Sequence, residues 1–284
     1  MWQIAGVIPA LVFLLGLVIG SFLNVVIIRL PLGKSISTPR SQCPKCKKLI
    51  AWYDNLPVLS YILLGGRCRH CNKEISKRYP LVEAFTGVVS VLLYLRFGLG
   101  LEWSIFLSFC AALIALALID MDHRTLPDPI TLNGIWIGMV ANFILAPESA
   151  FAARILRWIG LELTNPRVVA LIGSVIGMLV GGGLLWGVAE AYLRLRGVEG
   201  MGFGDVKMMA MVGAFLGAPL TLFTIMVGSL LGSIIGVLFI QLAGKTREYE
   251  LPFGTFLSIG GIVAVLYGDT LIQLYIDRLI RPAL

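Results

Sequence analysis

Two carboxylates stand where an apolar chain has least reason to keep them. Asp205 follows Gly202-Phe-Gly204 at the mouth of one apolar segment, and Asp120 closes another, directly after Leu116-Ala-Leu-Ile119. A carboxylate at a membrane segment is expensive to desolvate and is retained for function. Two facing carboxylates in a low-dielectric site cannot both ionise, so such a pair holds one proton. That state can hydrolyse an amide. The ionised member takes a proton from water, the protonated member polarises the carbonyl, and a proton then passes to the leaving amine. Glycines at 200, 202 and 204 remove side chains where a substrate backbone would approach Asp205. The bland alternative is a flexible loop followed by a helix-start acid favoured by the helix dipole. Asp122 and Asp128 compete with Asp120. Asp122 lies nearer solvent, Asp128 between Pro127 and Pro129 suits a helix cap, and membrane proximity favours Asp120.

A second constellation is Cys43-Pro-Lys-Cys46 with Cys68-Arg-His-Cys71, two Cys-x-x-Cys pairs separated by 21 residues. That spacing lets two turns converge on one tetrahedral Zn2+. The segment is poor in apolar residues, so a metal supplies folding energy that a small core cannot. Two disulfides are the alternative, and a cytoplasmic loop disfavours them. Four thiolates close the site, so the expected role is structural. Cys110, inside an apolar run, reads as a small buried residue. Glu83 begins the next apolar segment. It is either a helix-start acid or part of a substrate-binding site for a positively charged N-terminus.

The elements that position these residues follow from composition. The 284-residue chain is 58% hydrophobic and 14% charged, with a mean hydropathy of +0.90. A soluble domain exposes too much surface to carry so few charges. The fold class expected is an all-α polytopic membrane protein. Its first span is Ala5–Ile28, with no charge before Arg29. The positive charges follow this run instead of preceding it, which does not suit a cleavable signal peptide. Further apolar runs cover about 81–97, 103–119, 132–146, 168–189, 208–219, 221–243 and 253–275. This makes eight transmembrane helices, or seven if the short, Gly-rich sixth merges with its neighbour.

Eleven of the 23 basic residues lie from Arg29 to Arg78, against the two acids Asp54 and Glu74. The positive-inside rule sets that loop in the cytoplasm, and alternation puts Asp120, Asp205 and the Gly244–Pro252 loop with Lys245 and Arg247 on the same side. Pro147–Arg167 falls on the other side, where its Arg154, Arg157 and Arg167 run against the rule. The organisation expected is a first span over 1–29, a basic zinc-binding module over 30–80 and a membrane-embedded domain over 81–284. The basic module suits anionic lipid heads, and nucleic acid is not needed to explain its charge. Asn24 suits an interhelical hydrogen bond, with Arg29 snorkelling to the interface.

Taken in order, these stretches resemble one family. Gly20–Val26 with Arg29-Leu-Pro31, the paired Cys-x-x-Cys, Asp54–Val58, Arg78–Glu83, Asp120 through Asp128 and Gly202–Lys207 are together similar to the bacterial type IV prepilin peptidases, the prepilin leader peptidase/N-methyltransferases. The resemblance implies an intramembrane aspartic endopeptidase of the bacterial inner membrane. It implies cleavage of type IV prepilins or type II secretion pseudopilins after glycine at the cytoplasmic face, and N-methylation of the new terminus with S-adenosylmethionine. The implied catalytic pair is Asp120 and Asp205, and Cys43, Cys46, Cys68 and Cys71 fall on the metal tetrad. Pro147–Arg167 is long for the family. No Gly-x-Gly-x-x-Gly unit marks the methyl-donor site, so Glu83 is the residue to which that role is assigned. Two rivals remain. One is an intramembrane protease of the presenilin type. The other is a non-enzymatic transporter or assembly protein that uses its acids for ion coupling, though such acids sit more naturally at the bilayer midplane between inverted repeats.

Overall fold

The computed structural model describes residues 2–198, 200–243 and 251–280. Lys245 and Arg247, and most of the loop that carries them, lie outside the described residues. The chain divides into two compact units, Met1–Ala115 and Leu116–Leu284. Among the described residues, extended pairing is limited to two isolated bridges, Gln42 with Leu49 and Arg67 with Glu74. Everything else that is regular there is helical, and seven helices are long and apolar enough to cross a membrane.

In the first unit, α1 (Trp2–Arg29) packs against α3 (Arg78–Phe97). Gly16 and Gly20 form a Gly-xxx-Gly face, and a Cβ on either would lie 2.7 Å from an α3 Cα, that of Gly87 or Glu83. In lipid, close backbone approach of this kind replaces the hydrophobic drive that water would supply. Ser90 Oγ donates to Val12 O at 3.0 Å, and Asn24 Nδ2 donates to Tyr79 O at 3.2 Å, the interhelical bond expected of it. Between α1 and α3 in sequence lie the cysteine turns, a short helix α2 (Leu59–Leu63) and a 3-10 turn at Trp52–Asn55. Helix α4 (Leu101–His123) contributes residues to both units, and Cys110 is fully buried within it.

The second unit contains the end of α4, then α5 (Asp128–Leu145), α6 (Ala150–Trp158), α7 (Pro166–Arg196), α8 (Phe203–Ala243) and α9 (Phe253–Val263). After α9 the chain passes through a π-turn at Ala264–Gly268 into α10 (Asp269–Tyr275). As one straight rod, α8 would be about 60 Å long, twice the hydrocarbon thickness. It is instead broken at Gly217, where φ is 71° and ψ 173°, two residues before Pro219. A side chain at Gly181 of α7 would collide with both Met209 O and Thr221 Cγ2. Twelve residues of straight helix would separate those two by about 18 Å. The chain therefore reverses, and α8 is a hairpin with limbs 203–216 and 218–243. This single membrane-competent helix thus contains both the sixth and the seventh segments read from sequence. The break leaves carbonyls at its first limb without helical partners. Asn142 Nδ2 donates to Ala214 O and Phe215 O at 2.8 and 3.0 Å, and Ser174 Oγ donates to Ala214 O at 2.6 Å.

Candidate active site

Asp120 and Asp205 are brought together within the second unit by the ends of three helices. Asp120 lies one turn from the end of α4, and Asp205 in the first turn of α8. The start of α9 lies beside both. It packs along the first limb of α8, where Ser258 Oγ donates to Met208 Sδ at 3.6 Å. A Cβ built on Gly254 would lie 3.0 Å from Asp120 Oδ2, 3.1 Å from Asp205 Oδ1 and 3.0 Å from Leu126 Cδ1. The two carboxylates thus flank one small space, and only glycine leaves that space empty. Both acids are buried, with 6% and 8% of their surface exposed, whereas Asp122 is exposed.

Asp120 is held from α9. Thr255 N–H donates to Asp120 Oδ2 at 2.9 Å. The Thr255 hydroxyl has one proton for two acceptors, Ala117 O at 2.9 Å and Asp120 Oδ2 at 3.3 Å, and the shorter bond takes it. Asp128 does not cap α5. It occupies the first helical position and pairs with Lys207, whose ammonium also lies 5.6 Å from the Phe203 ring centre. This ion pair ties the start of α5 to the start of α8 two residues beyond Asp205. The glycines before Asp205 do less than their pattern suggests. Gly200 packs on the Tyr192 ring and Gly204 on Leu126, while Gly202 faces open space.

The first unit holds two further groups of functional type. The sulfur atoms of Cys43, Cys46, Cys68 and Cys71 all lie within 4.8 Å of one another. Cys43 N–H donates to Lys48 O, Lys47 N–H to Cys43 O and Ile50 N–H to Ser41 O; the same three bonds recur 25 residues later from Cys68, Asn72 and Ile75. Lys47 and Asn72 both take positive φ, 60° and 55°, which bends each turn back on its first cysteine. Two equivalent turns facing each other form a cluster that can hold a metal ion. The donor set fits a tetrahedral ion with sulfur about 2.3 Å away. All five cysteines, including Cys110, are free of disulfides.

Glu83 lines a cavity of about 300 Å³ between the ends of α1 and α3 and the cysteine module, together with Asn24, Asp54, Tyr61, Tyr79 and Cys43. Its Oε2 accepts the Val58 N–H at 2.8 Å. Val58 has φ 60° and ψ −48°, and Leu59 N–H donates to Pro57 O across it, the geometry of a strained γ-turn. A β-branched residue persists there only when its surroundings hold it, and Glu83 supplies that hold. Nearby, Arg69 Nε and Nη2 grip the Asp54 carboxylate at 2.7 and 2.6 Å and keep it below the usual carboxylate range.

Paired buried acids in a bundle of membrane-competent helices, on a chain that also carries a four-cysteine cluster, define the class: a multi-pass membrane protein with an aspartic-type centre. Known proteins narrow it. The Bacterial Peptidase A24 N-terminal domain matches residues 14–97, and the Type IV leader peptidase family matches residues 107–237. Similar proteins named prepilin leader peptidase/N-methyltransferase include those of three bacteria. That of Pseudomonas putida is 36% identical over 295 residues, covering 95% of each chain. That of Pseudomonas aeruginosa is 36% identical over 287 residues, covering 93% of this chain and 92% of its own. That of Legionella pneumophila is 32% identical over 286 residues, covering 93% of this chain and 92% of its own. No solved structure matches. The chain belongs to the Type IV leader peptidase family.

Proposed function

We propose that this protein is an intramembrane aspartic endopeptidase that removes the leader of type IV prepilins or type II secretion pseudopilins. It cuts after glycine at the cytoplasmic face of the bacterial inner membrane and then N-methylates the new amino terminus. The catalytic residues are Asp120 and Asp205, within a peptidase domain over 81–284. One observation carries the reading: Asp120 Oδ2 and Asp205 Oδ1 flank the same space over Gly254. The attacking water is placed between the two carboxylates, with the scissile carbonyl brought up to them by the substrate. The pair holds one proton between its members. The ionised carboxylate takes a proton from the water as its oxygen attacks the carbonyl carbon. The protonated one donates to the carbonyl oxygen. As the C–N bond of the gem-diol breaks, the leaving nitrogen takes a proton from the pair and a gem-diol hydroxyl returns one to it, so the pair again holds a single proton. Thr255 fixes the angle of Asp120 through its main-chain N–H. The test is a peptide with a basic leader and a Gly-Phe junction. Mass spectrometry should find the two products split at that junction, and cleavage elsewhere would refute the specificity.

Zinc is the metal we assign to Cys43, Cys46, Cys68 and Cys71, where it cross-links the two turns. Cys43→Ser should lower zinc from one equivalent to none and loosen the module toward proteolysis. An unchanged zinc content would reject the tetrad.

The methyl donor we assign to the Glu83 cavity. Its volume suits a small cofactor, and the Glu83 carboxylate suits a positive charge of S-adenosylmethionine. When bound, that group supplies an electrophilic methyl, and Glu83 orients it. Glu83→Gln keeps an oxygen for the Val58 N–H but loses the charge. Methyl transfer should fall about tenfold or more with cleavage and folding unchanged. Equal methyl transfer by Glu83→Gln and wild type would remove Glu83 from that role.

A further inference from the structure

The segment between α5 and α7 is used by neither activity. It contains α6, an amphipathic helix with three distinct faces. Ala152 and Leu156 are buried against α7, at 0% and 5% exposed. Phe151 and Trp158, seven residues apart, share a second face and are exposed at 41% and 86%. Arg154 and Arg157 share a third, and the helix carries no acid. Beyond it, Ile159, Leu161 and Leu163 are also exposed. A cavity of about 280 Å³ lies at the junction with α7, walled by Ala153, Leu156, Leu161, Leu163 and Val169, with Arg157 and Glu162 at its polar edge.

The chain itself limits what can cover these faces. Four residues separate the end of α5 from α6, and seven separate α6 from α7. Four extended residues reach about 14 Å at most, so α6 stays at the membrane surface. It lies at the end of the second unit away from the acids. Gly173 packs on Ser149 and Ala152, Gly177 packs at the Gly217 reversal, and Gly181 and Gly182 pack toward Asp205. An amphipathic helix at this level, with aromatic residues beside arginines, matches a bilayer interface: apolar side chains enter the acyl boundary and guanidiniums meet phosphate.

We propose that α6 is an interfacial helix that binds anionic phospholipid, with an acyl chain in the α6–α7 cavity and the lipid phosphate at Arg157 and Arg154. Arg157 Nε donates to Ala153 O at 3.3 Å, which holds the guanidinium at the cavity edge that Glu162 also lines. The proposal also accounts for two of the three arginines, Arg154 and Arg157, on a side where the positive-inside rule wants few: they hold lipid instead of setting topology.

The test uses the full-length protein in nanodiscs of phosphatidylcholine with or without phosphatidylglycerol. A basic residue near an anionic surface contributes enough that Arg154→Gln with Arg157→Gln should weaken retention of phosphatidylglycerol about 30-fold. Both positions are exposed, so folding is unaffected. Brominated lipid should quench the part of the tryptophan fluorescence that Trp158→Phe removes, and aqueous iodide should not. Equal phosphatidylglycerol retention by wild type and the double variant would overturn the proposal. So would iodide quenching of Trp158, or a Trp158 signal that depends on protein dilution, which would mean that a second copy covers the face.

Discussion

Gly254→Ala is expected to cut the turnover of prepilin cleavage about 100-fold while leaving substrate affinity nearly unchanged. The added methyl would sit 3.0–3.1 Å from the oxygens of both acids and from Leu126. Those contacts are tight yet tolerable, so the fold survives. What the methyl removes is the space for the attacking water. Displacing a reacting group by about 1 Å is enough for a loss of this size. Binding of the leader does not use this space, so KM stays and kcat falls. Kinetics on the Gly-Phe peptide separate the two. A Gly254→Ala enzyme with normal kcat would show that the space over Gly254 is not where the reaction occurs.

The largest effect is expected from the acids. Asp120→Asn and Asp205→Asn should each lower kcat/KM about 1,000-fold or more, because an amide can neither take the proton from water nor return one to the leaving nitrogen. The double variant should be no worse than either single one, since residues that act as one unit are not additive. Independent losses that multiply would mean two separate roles. Asp122→Asn serves as the control: its side chain is exposed and outside the space over Gly254.

Much of this was legible because membrane chemistry leaves few options. An uncharged run of 24 residues can only be a spanning helix, and Asp120 after four apolar residues can only be near an interface. Two Cys-x-x-Cys pairs announce their turns, although the repetition of the hydrogen bonds at a 25-residue offset is visible only in the structure. The reversal at Gly217 was half legible. Gly217 and Pro219 are there to read, but whether such a pair kinks a helix or reverses it depends on α7, whose glycines at 177 and 181 admit both limbs.

The site itself was read through its charges, and so one wall was missed. Gly254 and Thr255 carry no titratable group, yet they make the space and fix Asp120. The signal was a Pro252-Phe-Gly254 run entering an apolar segment, the same type of pattern that marks Gly202-Phe-Gly204. Conversely, the space attributed to Gly204 is filled by Leu126. A glycine shows that something comes close; only the fold shows whether it is substrate or the protein's own side chain. Asp128 teaches the same point, since its cap-like position between two prolines conceals a pairing with Lys207 79 residues away. The hold of Glu83 on the strained Val58 turn links two sequence stretches that no local rule connects.

With cleavage proposed at the carboxylate pair and methyl transfer at the Glu83 cavity of the first unit, the two activities are expected to separate. The most direct measurement gives Asp205→Asn two substrates, an intact prepilin peptide and the same peptide already cut after glycine, with labelled methyl donor present. The intact peptide should remain uncut and unlabelled, while the cut peptide should acquire label at the wild-type rate. Normal cleavage of the intact peptide, or loss of labelling on the cut one, would contradict it.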